Sequence, residues 1–133
     1  MSGWGHNRLD LVGRPEEGIA EMERALKLNP RDPNRWRYMT YLSRAYIGLE
    51  EYQRAADYAR NAARLHPDLP EALFRCAVSV AHLDEVDEAK ALLERCADLD
   101  PDYLSKMRDW RPYADQARNQ HFLSGLRRHG LYS

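Results

Sequence analysis

The side chains with chemistry to offer in this chain are poorly arranged for catalysis. Its five histidines are His6, His66, His82, His121 and His129. No two of them form the H-E-x-x-H pair that sets zinc beside a general base on one helix face. Cys76 and Cys96 show no C-x-x-C, and neither has a histidine at ligand spacing. They read as small, reduced core residues. The acids Asp84, Glu85, Asp87 and Glu88 lack the alternate-residue spacing and central glycine of a calcium loop, and read as a solvated helix start. G-x-S-x-G, Walker and G-x-G-x-x-G motifs are absent. The expectation is a chain with no catalytic residue, no metal and no cofactor: not an enzyme. Binding chemistry remains. Two arginines, Arg44 and Arg75, facing the aromatic pair Tyr41 and Phe74, suit carboxylates beside apolar groups.

The elements that position these residues repeat. ALKLNPRDP (25–33), AARLHPDLP (62–70) and CADLDPDYL (96–104) each run from a small residue through Leu to Pro. Pro67 and Pro101 are 34 positions apart, and Pro30 and Pro67 are 37 apart. A period of this size means stacked helical units rather than one enzyme core.

The whole chain, 133 residues with a net charge of −1, fits one domain. Charge is uneven: +2 over 1–67, −7 over 68–102 and +4 over 103–133. An acidic repeat beside a basic tail suggests that the tail lies against that repeat. Nothing is basic enough to imply nucleic acid. No apolar run is long enough to span a bilayer. The start, MSGWGHNRLD, lacks a secretory apolar stretch. A cytoplasmic protein is expected, or a piece of a larger one.

Helix signals define the repeats. Asp32 before Pro33 predicts a helix start. Trp36, Met39, Leu42, Ser43 and Tyr46 then share one face, and Gly48 ends it. Tyr52, Ala55, Ala59, Ala62 and Leu65 line a second helix, stopped by Pro67. In the next repeat Leu73, Cys76, Ala77 and Val80 face inward. Val86, Ala89, Leu93, Cys96 and Leu99 do so on its second helix. Before these, Glu16–Leu28 forms a helix with Met22, Ala25 and Leu28 inward. A weak partner helix over 2–13 offers Trp4, Leu9 and Val12. The predicted boundaries are 1–32 for a partial repeat, 33–67 and 68–101 for two repeats, and 102–133 for tail helices. In that tail 103–109 forms a turn or two and WRPY (110–113) breaks it. A last amphipathic helix follows, with Ala117, Phe122, Leu123 and Leu126 apolar. Gly130 and Leu131 form its stop.

These positions resemble the tetratricopeptide repeat, W-x₂-L-G-x₂-Y…A-x₃-F…P. Met39, Leu42, Ser43, Tyr46, Ala55, Ala59 and Pro67 match it in one repeat. Leu73, Cys76, Ala77, Val80, Ala89, Leu93 and Pro101 match it in the next. In the first repeat Gly18 replaces the usual Ala and Pro15 the usual aromatic. The resemblance implies an all-α helix-turn-helix solenoid of about three repeats, the first truncated, with a C-terminal capping helix. Residues 111–131 are similar to the end of bacterial proteins that fuse a class III adenylate/guanylate cyclase domain, or a winged-helix regulator, to such repeats. Phe122, Leu123, Gly125, Leu126, Arg127, Arg128, Gly130 and Leu131 carry that likeness.

In stacked helix pairs the first helices line the concave face. That puts Arg37, Thr40, Tyr41 and Arg44, with Glu71, Phe74, Arg75, Val78 and His82, in a partner-binding groove. Ile47 is a further candidate. The tail either fills this groove or caps the end. An acidic, partly apolar protein or peptide is the expected partner. A chaperone-type clamp for a terminal carboxylate is not expected: only Asn7 and Arg75 fit, and Tyr41 and Glu71 stand where Asn and Lys are needed. Function is read as a scaffold at the regulatory or docking end of a bacterial signalling protein. The alternative is an intramolecular docking or homodimerisation module for a cyclase or DNA-binding domain. Exposed aromatics, Tyr38 and Tyr58 among them, would favour self-association.

Overall fold

A computed structural model describes residues 15–108 and 116–131. The expected helix over 2–13 and the WRPY break lie outside these. The described elements are α1 (Pro15–Leu28), α2 (Arg35–Gly48), α3 (Tyr52–Leu65), α4 (Pro70–His82), α5 (Val86–Leu99), α6 (Tyr103–Met107), α7 (Gln116–Phe122) and α8 (Ser124–Arg128). Among the described residues there is no strand. Consecutive helices from α1 to α6 pack side by side as a helical solenoid. The tail helices do not extend that row. Instead α8 lies on α4 and α7 touches α2.

The pattern positions account for the core. Leu42, Ser43, Ala55, Ala59, Leu73, Ala77, Val80, Ala89 and Cys96 have almost no exposed surface. Small residues at the crossings bring backbones close enough for side chains to bridge helices. The Ser43 hydroxyl donates to the Ala55 carbonyl at 2.9 Å, and Cys96 Sγ sits 3.6 Å from the Pro70 carbonyl. Both cysteines are free thiols, and burial pushes Cys76 up to about 12 and Cys96 up to about 11. At neutral pH they are protonated, unreactive packing groups. On the outer side Arg60 grips Glu88 through two bonds of 2.7 and 3.1 Å, tying α3 to α5.

Several expectations need correction. The α2 helix starts at Arg35, two residues beyond Pro33, with Asn34 at its N-cap. Asp32 accepts the Asn34 N–H at 2.8 Å, so its carboxylate closes a turn ahead of the helix rather than capping it. Leu28, Leu65 and Leu99 point outward, exposed by 72%, 38% and 42%. Each is the last residue of its helix, where the chain turns off the packing face. The tail is two short helices, not one. The Ser124 hydroxyl donates to the His121 carbonyl at 2.7 Å, and the helix breaks there at Leu123. Ala117 is exposed, while Asn119 is buried. Tyr38 and Tyr58 are half-buried rather than exposed. Tyr58 stacks on Tyr46 at 5.9 Å and donates to Glu23 at 2.8 Å.

Other details follow the sequence closely. Gly130 has φ of 70°, its N–H bonds the Arg127 carbonyl, and the Leu131 N–H reaches back to Leu126 at 2.9 Å. That is the left-handed glycine stop. Gly18 has a steric reason. A methyl group there would overlap the Tyr41 hydroxyl and stand 3.1 Å from the ring. Gly18→Ala is therefore expected to destabilise by about 1–3 kcal/mol through overpacking. Thermal melts should show the loss, and Tyr41→Phe in the same chain should recover part of it. An unchanged melt for Gly18→Ala would refute the close contact.

Candidate functional site

The open part of the concave face is a cavity of about 350 Å³ lined by Trp36, Arg37, Thr40, Tyr41, Arg44, Glu71 and Arg75. Helical spacing explains the set. Residues 36, 40 and 44 form one stripe of α2, 37 and 41 the adjacent one, and 71 and 75 a stripe of α4. The guanidinium of Arg37 lies 5.3 Å from the Trp36 ring centre, and that of Arg44 lies 5.3 Å from the Tyr41 ring centre. The rings hold these cations over the cavity by quadrupole attraction. The Trp36 ring also meets His66 edge-on at 4.8 Å.

The three arginines do different jobs. Arg37 is exposed and Arg44 half-buried. Arg75 is buried at 6% exposure, and its Nη1 donates to the Thr40 carbonyl at 3.0 Å. Its Nη2 lies 3.5 Å from Glu71 Oε2. Arg75 therefore fastens α4 to α2 and forms the floor, with Thr40 and Tyr41 beside it. Among the described lining residues three guanidiniums face one carboxylate.

Six of the nine groove candidates are brought together here: Arg37, Thr40, Tyr41, Arg44, Glu71 and Arg75. The other three are not part of the open cavity. Phe74 and Val78 have no exposed surface, and His82 is half-buried. For Phe74 and His82 the tail contributes. The Phe122 ring stands 6.2 Å from Phe74, and His121 lies 4.8 Å from His82. Gly125 approaches so closely that a Cβ would sit 3.0 Å from the His82 ring. Ile47, a further candidate, is buried as well. The groove is thus open over Glu71 and Arg75 and covered over Phe74 and His82.

The spacing of Trp36 places it on the packing face, yet it lines the cavity. Its place four residues before Thr40 and eight before Arg44 was the signal for this. The acids that receive the tail carry a signal too. Glu50 and Asp84 occupy equivalent turns, 34 positions apart, with φ of 61° and 63°. Side chains other than glycine are uncommon in that left-handed conformation. Here both carboxylates face tail residues: Glu50 is 3.6 Å from His121, and Asp84 is 2.8 Å from Arg128 and 3.0 Å from His129. Asp84 is held below the usual carboxylate range, first by its bond to His129 and then by Arg128. The acidic repeat and basic tail do lie together.

Among the described residues, no group of three His, Cys, Asp or Glu could hold a metal ion. No helix among them is long and apolar enough to cross a membrane.

Packed helix pairs at a 34-residue spacing, with small residues at their crossings, define a helical-repeat scaffold. The sequence model of the Tetratricopeptide repeat family matches residues 12–70 and 42–103, and the chain belongs to that family. A curated relative is BBSome complex member BBS4 of Xenopus tropicalis, 29% identical over 82 residues. The match covers 62% of this chain and 15% of that protein, so this chain spans a small part of the relative's length.

Proposed function

We propose that this chain is a non-catalytic interaction scaffold whose open cavity takes an acidic, partly apolar protein or peptide segment. The observation that carries this is Arg37 and Arg44 held over Trp36 and Tyr41 on the concave face. Carboxylates suit the guanidiniums, and apolar side chains suit the exposed ring surface. Family membership supports a binding role, and the similar Xenopus protein is by name a member of a complex. The repeat boundaries at 32, 67 and 101 belong to this reading. So does the likeness of the tail to cyclase and winged-helix fusions, which favours a cytoplasmic docking end of a bacterial signalling protein.

The test is fluorescence polarisation with a set of acidic peptides carrying aromatic or aliphatic neighbours. Arg37→Glu and Arg44→Glu should each weaken the tightest peptide at least tenfold, because a charge-assisted bond is worth about 1.5–3 kcal/mol. Added salt should weaken it further. Affinities unaltered in both variants would exclude this cavity as the site.

A second reading, a homodimerisation or docking module for a catalytic or DNA-binding domain, is favoured by Leu28, whose side chain is 72% exposed. Sedimentation should then show a dimer that Leu28→Glu dissociates. A monomer at high concentration counts against the dimer.

A further inference from the structure

We propose that α7 and α8 are a pH-gated cover over the His82 end of the groove, closed while the His82 imidazole is neutral and loosened as it takes a proton. His82 is the last residue of α4. Its ring stacks on Tyr52 from α3 at 4.1 Å, nearly parallel, and on His121 from α7 at 4.8 Å. Gly125 of α8 closes a further side, leaving no room for a Cβ. The Phe122 carbonyl, 3.4 Å from Nε2, faces the ring, and so does the backbone of His121. A charged imidazolium in this slot loses most of its water and gains only two backbone carbonyls, those of Phe122 and His121. It also meets positive or potentially positive neighbours: His121 beside it and Arg128 on α8.

The carboxylates around the slot are already engaged. Glu50, in the turn before α3, faces His121. Asp84, in the turn after α4, accepts from Arg128 and His129. Burial, with the neighbouring His121, holds His82 down to about 4, against an ordinary 6.5. The sign follows. Above pH 6.5 the ring is neutral whether the tail is docked or not, and docking is at full strength. As pH falls from 6.5 towards 4 the undocked state takes up the proton first, so docking weakens. Between pH 7.5 and pH 5 the loss is up to about 30-fold in the docking constant, given those two values. Two further contacts clasp the tail, His121 with Glu50 and His129 with Asp84. Those carboxylates are 66% and 71% exposed, and exposed pairs are weak. The buried ring decides the direction. Asp84, held below its usual range, keeps its clasp on Arg128 throughout this window.

Loosening uncovers Phe74 and lengthens the open cavity along α4. That consequence rests on the groove reading above; the opening of the tail does not, and it is measured without any peptide.

The experiment is hydrogen exchange of the full chain at pH 7.5 and 5.0, corrected for the intrinsic rate, alongside NMR titration of the His82 ring. Protection over 116–128 should fall at least tenfold at pH 5.0 while α3 and α5 keep theirs. His82→Gln, always neutral, should remove the difference. The ring should titrate well below 6.5. The proposal is overturned by tail protection that is constant within twofold, by a fall that persists in His82→Gln, or by α3 and α5 losing protection in step with the tail. If His82→Gln does not fold, the wild-type ring decides: a midpoint at or above 6.5 overturns it.

Discussion

Phe74→Ala is expected to lower stability by about 3–5 kcal/mol, the range for removing a fully buried aromatic side chain. Its ring has no exposed surface. It meets Tyr103 edge-on at 5.6 Å and Phe122 at 6.2 Å, so one side chain joins α4 to both α6 and α7. Truncation removes apolar area and leaves a cavity where three elements meet, and neither loss is easily repaired by relaxation. For a domain of this size the melting temperature should fall by roughly 10–20 °C. Phe74→Leu keeps an apolar group of intermediate size and should lose less than half as much. The result separates two roles for Phe74. A groove residue that contacts a partner would change affinity and leave the melt in place. A core residue beneath the tail does the reverse. A melting temperature for Phe74→Ala within a few degrees of wild type would show that the tail does not seal this site.

That difference marks where the sequence stopped being informative. The repeat was legible because its cause is local. Alanine and serine at fixed helical spacing exist to let helices cross, and Leu42, Ala55, Ala59, Ala77 and Ala89 are all buried as their spacing requires. The glycine stop at Gly130 was legible for the same reason. Positions on α2 and α4 that packing does not claim could also be read, which is why Arg37, Thr40, Tyr41, Arg44, Glu71 and Arg75 do meet around one cavity. Periodicity assigns a residue to a face, but it does not say what lies against that face. Phe74, Val78 and His82 do not line the open cavity. A segment about 40 residues later in the chain lies against Phe74 and His82, and charge asymmetry hints at that return while helical periodicity does not encode it. Arg75 illustrates a second limit. Its position shows that it faces the groove, and only the structure shows its guanidinium spent on the Thr40 carbonyl. The helix-terminal leucines fail differently: Leu28 keeps the repeat's spelling but falls after the last inward position.

Arg75→Glu is the second large effect, and it is expected in stability before binding. The arginine is 6% exposed, donates to the Thr40 carbonyl across two helices, and lies 3.5 Å from Glu71. Glutamate there would place a carboxylate against a carbonyl oxygen and a second carboxylate, with little water to screen them. Breaking a buried charged contact in this way costs about 3–5 kcal/mol. Arg75→Met gives a useful comparison. It keeps the unbranched stem but leaves the Thr40 carbonyl without that donor, a loss of about 1–3 kcal/mol. Arg37→Glu, at an exposed position over Trp36, should stay within about 0.5 kcal/mol of wild type. Denaturant titration orders the three: the midpoint should fall most for Arg75→Glu, less for Arg75→Met and scarcely for Arg37→Glu, at similar slopes. If Arg75→Glu unfolds at the wild-type midpoint, its guanidinium is not the strut between α2 and α4. Arg75 would then count with Arg37 and Arg44 among the cations that only line the cavity.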